Sequence, residues 1–194
     1  GLMAVGAGAL LAGGLPGTAQ AQVVTDIAPD GRTDTEVTRT SAAGAPDVRR
    51  VTTRTRSGGN AVNSFSVFDV GQETTVDLIV PEDVNALVNI VRDRAVTIDG
   101  TVNSLVGGEI GGNVFFVDTH GFVVGASGTI NVGSLTVVAP TASFVDSLID
   151  ANGGISSAAL GSLAAGDVPL SASGNVVIRG AVNAANGLSI QTGG

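Results

Sequence analysis

The segment from residue 112 to residue 138 constrains the fold of this 194-residue chain more than any other stretch. It places apolar β-formers between regularly spaced glycines, and its second half alternates apolar with small polar residues through Ile130, Val132 and Leu135. A period of two is typical of half-buried strands, and glycine is typical of tight turns. The segment therefore predicts short strands that are joined by tight turns and repeated along one axis.

Glycine is abundant at 29 residues, whereas aromatic residues make up only 3% of the chain. A compact core usually relies on aromatic side chains for its buried area. A solenoid can instead stack Val, Ile and Ala, because each coil covers its neighbour. The composition favours a repetitive β architecture over a compact mixed fold.

An internal repeat supports stacked coils. Residues 96–103 align without gaps on residues 176–183, with five identities in eight positions, and residues 128–131 echo the same pattern. Gly100 and Gly128 are 28 residues apart; Gly180 follows after 52 more, which we interpret as two units. Periods of this size are typical of solenoids.

The repeat also brings three asparagines into equivalent positions, Asn103, Asn131 and Asn183. Stacked identical amides can hydrogen-bond along the axis of a β stack. We therefore predict an internal amide ladder formed by these three side chains.

Charge and cysteine content exclude several functions. The net charge is −8, and residues 57–194 hold 3 Arg against 12 Asp or Glu, which argues against nucleic-acid binding. Six of the nine Arg lie between Arg32 and Arg56. We interpret the cluster of Arg49, Arg50, Arg54 and Arg56 as the solvated face of an edge strand, with a basic patch as the alternative. The absence of Cys excludes disulfides, Cys-ligated metals and thiol catalysis.

The first residues have the pattern of a secretory signal. Residues 2–15 are apolar, and Ala19-Gln-Ala21 follows a Pro-Gly pair, which predicts cleavage after Ala21. The stretch is too short to span a bilayer, and six glycines within the first seventeen residues of the chain disfavour the alternative of a buried helix. We expect residues 1–21 to be a signal-peptide remnant and the chain to be the front of a longer exported protein.

Helices are few in this pattern. Residues 81–91 are the best candidate, because a proline and two acids stand at the start, and residues 156–163 are a weaker one. Loops protruding from the stack are the alternative for both segments. Residues 22–60 are expected to form an N-terminal cap or edge strands.

The sequence contains few residues that could form a catalytic site. His120 is the only histidine, so histidine-cluster metal sites are excluded, and its position before Gly121 indicates a turn residue tolerant of positive φ rather than a catalytic base. No Gly-x-Ser-x-Gly motif is present. We expect no enzyme activity, no cofactor and no metal ion.

Paired carboxylates are the better enzymatic alternative, since some β-helices cleave polysaccharides with two acids in one groove. The candidates share no recurring spacing, which favours a solvated surface. They are Asp69, Asp77, Asp99 and Asp118.

Four stretches between Asn63 and Pro140 share their order and spacing with a known family: residues 63–68, 89–92, 113–122 and 125–135. Together they resemble the secretion domain of two-partner-secretion (TPS) exoproteins, the group of filamentous haemagglutinin-like and leukotoxin-like adhesins and contact-dependent inhibition proteins. The family's Asn-Pro-Asn-Gly turn is replaced here by Asp-Thr-His-Gly, and its Asn-Pro-Asn-Leu motif has no clear copy, which leaves the subfamily open. The positions that match the motifs are Asn63, Phe65, Phe68, Asn89, Arg92, Asn113, Asp118, His120, Gly121, Gly125 and Asn131.

The resemblance implies an all-β fold, a right-handed parallel β-helix (a single-stranded solenoid) with an N-terminal cap. Residues 61–194 would be the TPS β-helix domain, the start of a longer solenoid. The implied function is the N-terminal secretion domain of a large exported adhesin or exoprotein on the surface of a Gram-negative bacterium.

The resemblance also implies a partner. The POTRA domains of an outer-membrane barrel transporter would recognise the chain in the periplasm, with residues 48–56 and 63–68 as candidate early contacts. The chain would cross the membrane unfolded and nucleate β-helix folding outside, while downstream regions would bind host-cell or bacterial surfaces. The alternatives are a carbohydrate-active β-helix enzyme, such as a polysaccharide lyase or hydrolase, and an autotransporter passenger.

Overall fold

A computed structural model describes residues 22–194, so the signal sequence predicted at residues 1–21 lies outside the described residues. The described part is built from short strands and two helices. In chain order the elements are β1 (Asp26–Pro29), β2 (Thr35–Arg39), β3 (Asp47–Thr53), β4 (Arg56–Ser57), β5 (Asn60–Val70), β6 (Thr74–Ile79), β7 (Leu87–Val91), β8 (Val96–Ile98), β9 (Thr101–Val106), β10 (Glu109–Ile110), β11 (Asn113–Asp118), β12 (Gly121–Val124), β13 (Thr129–Val132), β14 (Ser134–Val138), α1 (Ala142–Leu148), α2 (Ser157–Ala165), β15 (Asn175–Ile178), β16 (Ala181–Ala184) and β17 (Leu188–Gln191).

The strands stack in three parallel columns, which are the sides of a three-sided coil. Side 1 contains the first half of β5, then β7, β11, β14 and β17, and side 2 contains the second half of β5, then β8, β12 and β15. Side 3 contains β3, β6, β9, β13 and β16. The chain visits the three sides in turn, so the fold is an all-β parallel β-helix, as predicted.

Glycine is required at the corner between sides 2 and 3, because successive coils approach closely there. A Cβ atom at Gly100 would overlap the carbonyl oxygen of Gly71, and one at Gly128 would overlap that of Ile98. A Cβ at Gly180 would overlap the carbonyl oxygen of Gly128 in the same way. The glycine of the sequence repeat is therefore set by backbone packing between coils.

The interior of the coil is one apolar core. Val96, Val102 and Ile130 are fully buried in it, as stacked aliphatic residues were predicted to be. Four of the six phenylalanines also lie in this core, which the low aromatic content did not suggest. The few aromatic residues are thus concentrated at the centre of the molecule.

Antiparallel strands cover the N-terminal end of the stack. β1 and β4 pair with β5, and β2 pairs with β3. Because β3 lies between β2 and β6, the prediction that the arginine cluster occupies an edge strand is wrong for Arg49 and Arg50. The edge strand on this side is β2, which antiparallel pairing adds outside β3.

A helical hairpin, α1 and α2, lies between β14 and β15 and packs on the outer face of side 1. Leu148 and Leu160 pack there with Val88 and Val117 in a second apolar cluster. No helix within residues 22–194 is long and apolar enough to cross a membrane.

The helices and the strand pairing test three predictions. The helix predicted at residues 156–163 is confirmed by α2, and α1 was not predicted. The helix predicted at residues 81–91 is wrong, because β7 pairs with β5 and β11 on its two sides. The 52-residue spacing is one coil that carries the hairpin as an insertion, since β13 pairs directly with β16.

Candidate functional site

The predicted motif residues do not converge on one surface patch. Asn63 and Asn89 contact each other inside the coil, and Phe65 and Phe68 contact each other beside them. The remaining motif residues lie at a corner of the coil, on side 3 and on the outer face of side 1. Each group has its own structural surroundings.

The side chains of Asn63 and Asn89 form what we call the inner ladder. The Asn63 Nδ2 donates to Asn89 Oδ1 at 2.9 Å, and the Asn89 Nδ2 donates to the carbonyl of Phe115 at 3.2 Å. The hydroxyl of Thr35, on β2, donates to Asn63 Oδ1 at 2.8 Å. Both asparagines are 0% exposed, so this chain of hydrogen bonds runs from the half-buried Thr35 of the cap through the interior of the first coils to the third coil.

Phe65 and Phe68 begin a stack of rings that continues through the coils. Their centroids are 5.2 Å apart in an edge-to-face arrangement, and Phe116 lies 5.3 Å from Phe68. Phe122 extends the stack at 5.2 Å from Phe116. Sequence reasoning did not select Phe116 and Phe122 as site residues, although their place in alternating strands was a usable signal.

Asp118 ties the turn after β11 to the preceding coil. Its carboxylate accepts the backbone N–H of Val96 at 3.0 Å and that of His120 at 2.8 Å, and His120 Nδ1 lies 3.2 Å away. The side chain is buried, with Asp118 2% exposed, and this burial raises the pKa of its carboxyl group to about 6. The Asp-Thr-His-Gly turn therefore contains a buried carboxyl group that bridges two coils.

Gly121, and not His120, adopts positive φ in this turn, so that part of the prediction is wrong. Its φ is 117°, and a Cβ there would overlap the carbonyl oxygen of Asn175. At the next corner, a Cβ at Gly125 would overlap the carboxylate of Asp99. Both motif glycines are required by the space available to them.

Asn131 belongs to a second row of amides, which we call the outer ladder. Asn131 Nδ2 donates to Asn103 Oδ1 at 2.9 Å, and Asn183 Nδ2 donates to Asn131 Oδ1 at 2.8 Å. Asn103 in turn donates to Asp77 Oδ1 at 2.9 Å. The predicted ladder exists, but its prediction as internal is wrong, because the alternating neighbours such as Ile130 take the inward positions.

The last two motif residues lie on side 1. Asn113 is exposed; its Nδ2 donates to the carbonyl of Asn85 at 2.9 Å, and it accepts the Ser134 hydroxyl at 2.7 Å. Arg92 forms an ion pair with Asp146 of α1, which joins the end of β7 to the helical hairpin. These contacts connect neighbouring coils and the insertion.

Three of the four acids considered for catalysis, Asp69, Asp77 and Asp118, are held in separate contacts. Asp69 accepts from Arg94 Nε at 2.9 Å, Asp77 belongs to the outer ladder, and Asp118 lies in its buried turn. The prediction of a solvated surface is wrong for Asp69 and Asp118, which are buried. Within residues 22–194 no group of three or more His, Asp or Glu could hold a metal ion.

Comparison with known proteins gives one match. A family model described as the TPS secretion domain matches residues 25–194, a span that contains every strand from β1 to β17. Searches of curated proteins and of solved structures returned no significant match to the chain.

Proposed function

This chain belongs to the TPS secretion domain family, and from that premise we propose that it is the N-terminal secretion domain of a large exported adhesin or exoprotein. Proteins of this kind are secreted by Gram-negative bacteria through two-partner secretion, which requires a partner transporter. In our proposal the POTRA domains of an outer-membrane barrel transporter recognise the chain in the periplasm. The domain then nucleates β-helix folding outside the cell.

The observation that carries this proposal is the burial of the first motif residues. Asn63, Phe65, Phe68 and Asn89 are all 0% exposed. A partner can contact these side chains only before the first coils close. Their burial therefore supports recognition of the unfolded chain, followed by use of the same residues to build the core.

Strand pairing supports the same order of events. A POTRA sheet could recruit an extended segment by β-augmentation, which requires free backbone N–H and C=O groups. In the folded chain β3 and β5 are paired on both sides. Within the candidate early contacts at residues 48–56 and 63–68, residues 48–53 and 63–68 lie in these two strands and are thus open to augmentation only before folding.

Folding from this end is supported by the inner ladder, which links the cap to the first three coils. The boundaries of the cap at residues 22–60 and of the β-helix domain at residues 61–194 belong to this proposal. The binding of host-cell or bacterial surfaces by downstream regions is also part of this proposal. The separate contacts of Asp69, Asp77 and Asp118 lend no support to the alternative of a polysaccharide-cleaving enzyme.

The test separates recognition from stability. Asn89→Ala and Leu78→Ala each remove a buried inward side chain, but only Asn89 belongs to the motif. Release of each variant by the cognate transporter is measured beside its free energy of unfolding. We expect Asn89→Ala to remain in the periplasm and Leu78→Ala, at a similar loss of stability, to be released. Equal release or equal retention of the two variants at matched stability would overturn the proposal.

A further inference from the structure

A groove lies between α2 and the outer face of side 1. Its volume is about 330 Å³, and its floor is the row Val88, Phe115 and Thr136, which three adjacent strands place side by side. Leu160 and Leu163 of α2 form the opposite wall. We call this cavity the α2 groove; it contains none of the buried motif residues described above, and the exposed Asn113 is the motif residue at its rim.

The rim of the α2 groove is polar and ordered. Asn113 is fixed by its hydrogen bonds to Asn85 and Ser134 on the neighbouring coils. Asn85, which is exposed, also lines the groove. The groove therefore combines an apolar, partly aromatic floor with amide and hydroxyl groups along one side.

The chemistry of the lining selects the class of ligand. None of the side chains that line the α2 groove carries a charge, so the site offers no ion pair to a phosphate or an acidic sugar. Its floor is the face of a sheet, and the backbone groups there are already paired in the ladders between strands. An extended peptide would find no free strand edge to pair with, and β-augmentation requires such an edge.

We propose that the α2 groove binds a short segment of a neutral saccharide. The apolar face of a sugar ring would lie on Phe115, and adjacent hydroxyl groups would pair with Asn85, Asn113 and Thr136. Small-ligand pockets have volumes of about 300–1,000 Å³, so the α2 groove accepts a short segment and not a long chain. This function is additional to secretion and does not depend on it.

Binding is tested on the folded chain with four neutral probes: cellotetraose, laminaritetraose, maltotetraose and chitotetraose. Two-dimensional NMR follows the backbone and the side-chain amides during titration. We expect at least one probe to saturate with a Kd of about 1 mM or tighter, with shifts confined to Asn85, Phe115, Thr136 and α2. Absence of saturable shifts with all four probes, or shifts centred on another face, would overturn the proposal.

Variants locate the site. Asn85→Ala and Phe115→Leu should each weaken binding roughly tenfold, through loss of a hydrogen bond and of the aromatic face respectively. Asn183→Ala removes an exposed amide from side 3 and is the matched control, with no change expected. Thermal unfolding shows whether each variant is folded. Because Asn85 is exposed, we expect Asn85→Ala to stay folded, so it still tests the site if Phe115→Leu unfolds. Equal weakening by the control would contradict the assignment.

Discussion

The inner and outer ladders use the same hydrogen bond in opposite surroundings. The Asn63–Asn89 bond measures 2.9 Å, and the Asn103–Asn131 bond also measures 2.9 Å. The inner pair is fully buried, whereas the outer ladder lies on the external face of side 3 and ends in the exposed Asn183. Geometry alone therefore does not distinguish the two ladders; solvent access does.

The difference matters because water can replace a lost partner on the outside. An ordinary hydrogen bond contributes about 1 kcal/mol net, but a buried group left without a partner costs about 1–3 kcal/mol. We infer that the inner ladder sets the stability and the register of the first coils. The outer ladder adds little to either.

The largest predicted effect is that of Asn89→Ala on the inner ladder. It leaves the amide of Asn63 and the carbonyl of Phe115 without their partner, so the free energy of unfolding should fall by about 3 kcal/mol. Urea denaturation measures this loss. The double variant Asn63→Ala/Asn89→Ala should lose clearly less than the sum of the single variants, because no orphaned amide remains between them; strict additivity would contradict a shared buried bond.

The next largest effect on stability is expected at Asp118. Like the inner ladder, its buried carboxyl group connects two coils, but unlike the amides of the ladder it can ionise. Because burial raises its pKa from 3.8 to about 6, the folded state binds the proton more tightly than the unfolded state. This group should therefore favour folding below pH 4, and the contribution should be lost as the pH rises through about 6, by on the order of 2–3 kcal/mol.

Denaturation of the wild type and of Asp118→Asn between pH 4 and pH 7 checks that sign. The stability of the wild type should decline more steeply with rising pH than that of the variant. A variant with the same or a steeper decline would show that Asp118 is not the titrating bridge.

A smaller effect is expected at the end of the inner ladder. Thr35→Val keeps the shape of the side chain but removes the hydroxyl that donates to Asn63. Thr35 is only half-buried, so we expect a loss of about 1 kcal/mol in the free energy of unfolding. A loss as large as that of Asn89→Ala would mean that the cap and not the ladder dominates stability.

The smallest effect is expected for Asn131→Ala, the same substitution as in the inner ladder but made in the outer one. Water can solvate the partners Asn103 and Asn183, so the free energy of unfolding should change by no more than about 0.5 kcal/mol. Thermal and urea denaturation of Asn131→Ala beside Asn89→Ala test this directly. Equal losses for the two variants would remove the distinction between the ladders.

The sequence predicted the outer ladder and missed the inner one for a physical reason. Asn103, Asn131 and Asn183 each follow a corner where the backbone demands glycine, as at Gly100 and Gly128, so a recognisable repeat surrounds them. The β-helix was predictable from the same repeat. Strand alternation, however, does not say which face is inside when both faces carry small polar residues.

Asn63 and Asn89 were selected by family resemblance alone, because no repeat surrounds them. Their inward orientation depends on pairing between β5 and β7, and residues 81–91 had been predicted as a helix. The proline and the two acids at the start of residues 81–91 favoured a helix, although the apolar run that follows them is compatible with a strand. Tertiary pairing on both sides of β7 overrides this local signal.

The helical hairpin was equally hard to infer. A 52-residue spacing fits two coils as well as one coil with an insertion, and only the direct pairing of β13 with β16 separates the two. The apolar outer face that α1 and α2 cover is formed by residues from several strands, including Val62 and Val117. Such a face can be predicted only when the register of the strands is known.

The central claim is that the buried motif residues, which are Asn63, Phe65, Phe68 and Asn89, are available to a partner only before they become the core. The direct measurement is the affinity of the transporter's POTRA domains for a peptide of residues 60–92, in which Asn63 and Asn89 are free, compared with the folded chain. We predict saturable binding of the peptide and at least about tenfold weaker binding of the folded chain, a difference of about 1.4 kcal/mol. Binding of the folded chain as tight as that of the peptide, or no binding of the peptide, would contradict the claim.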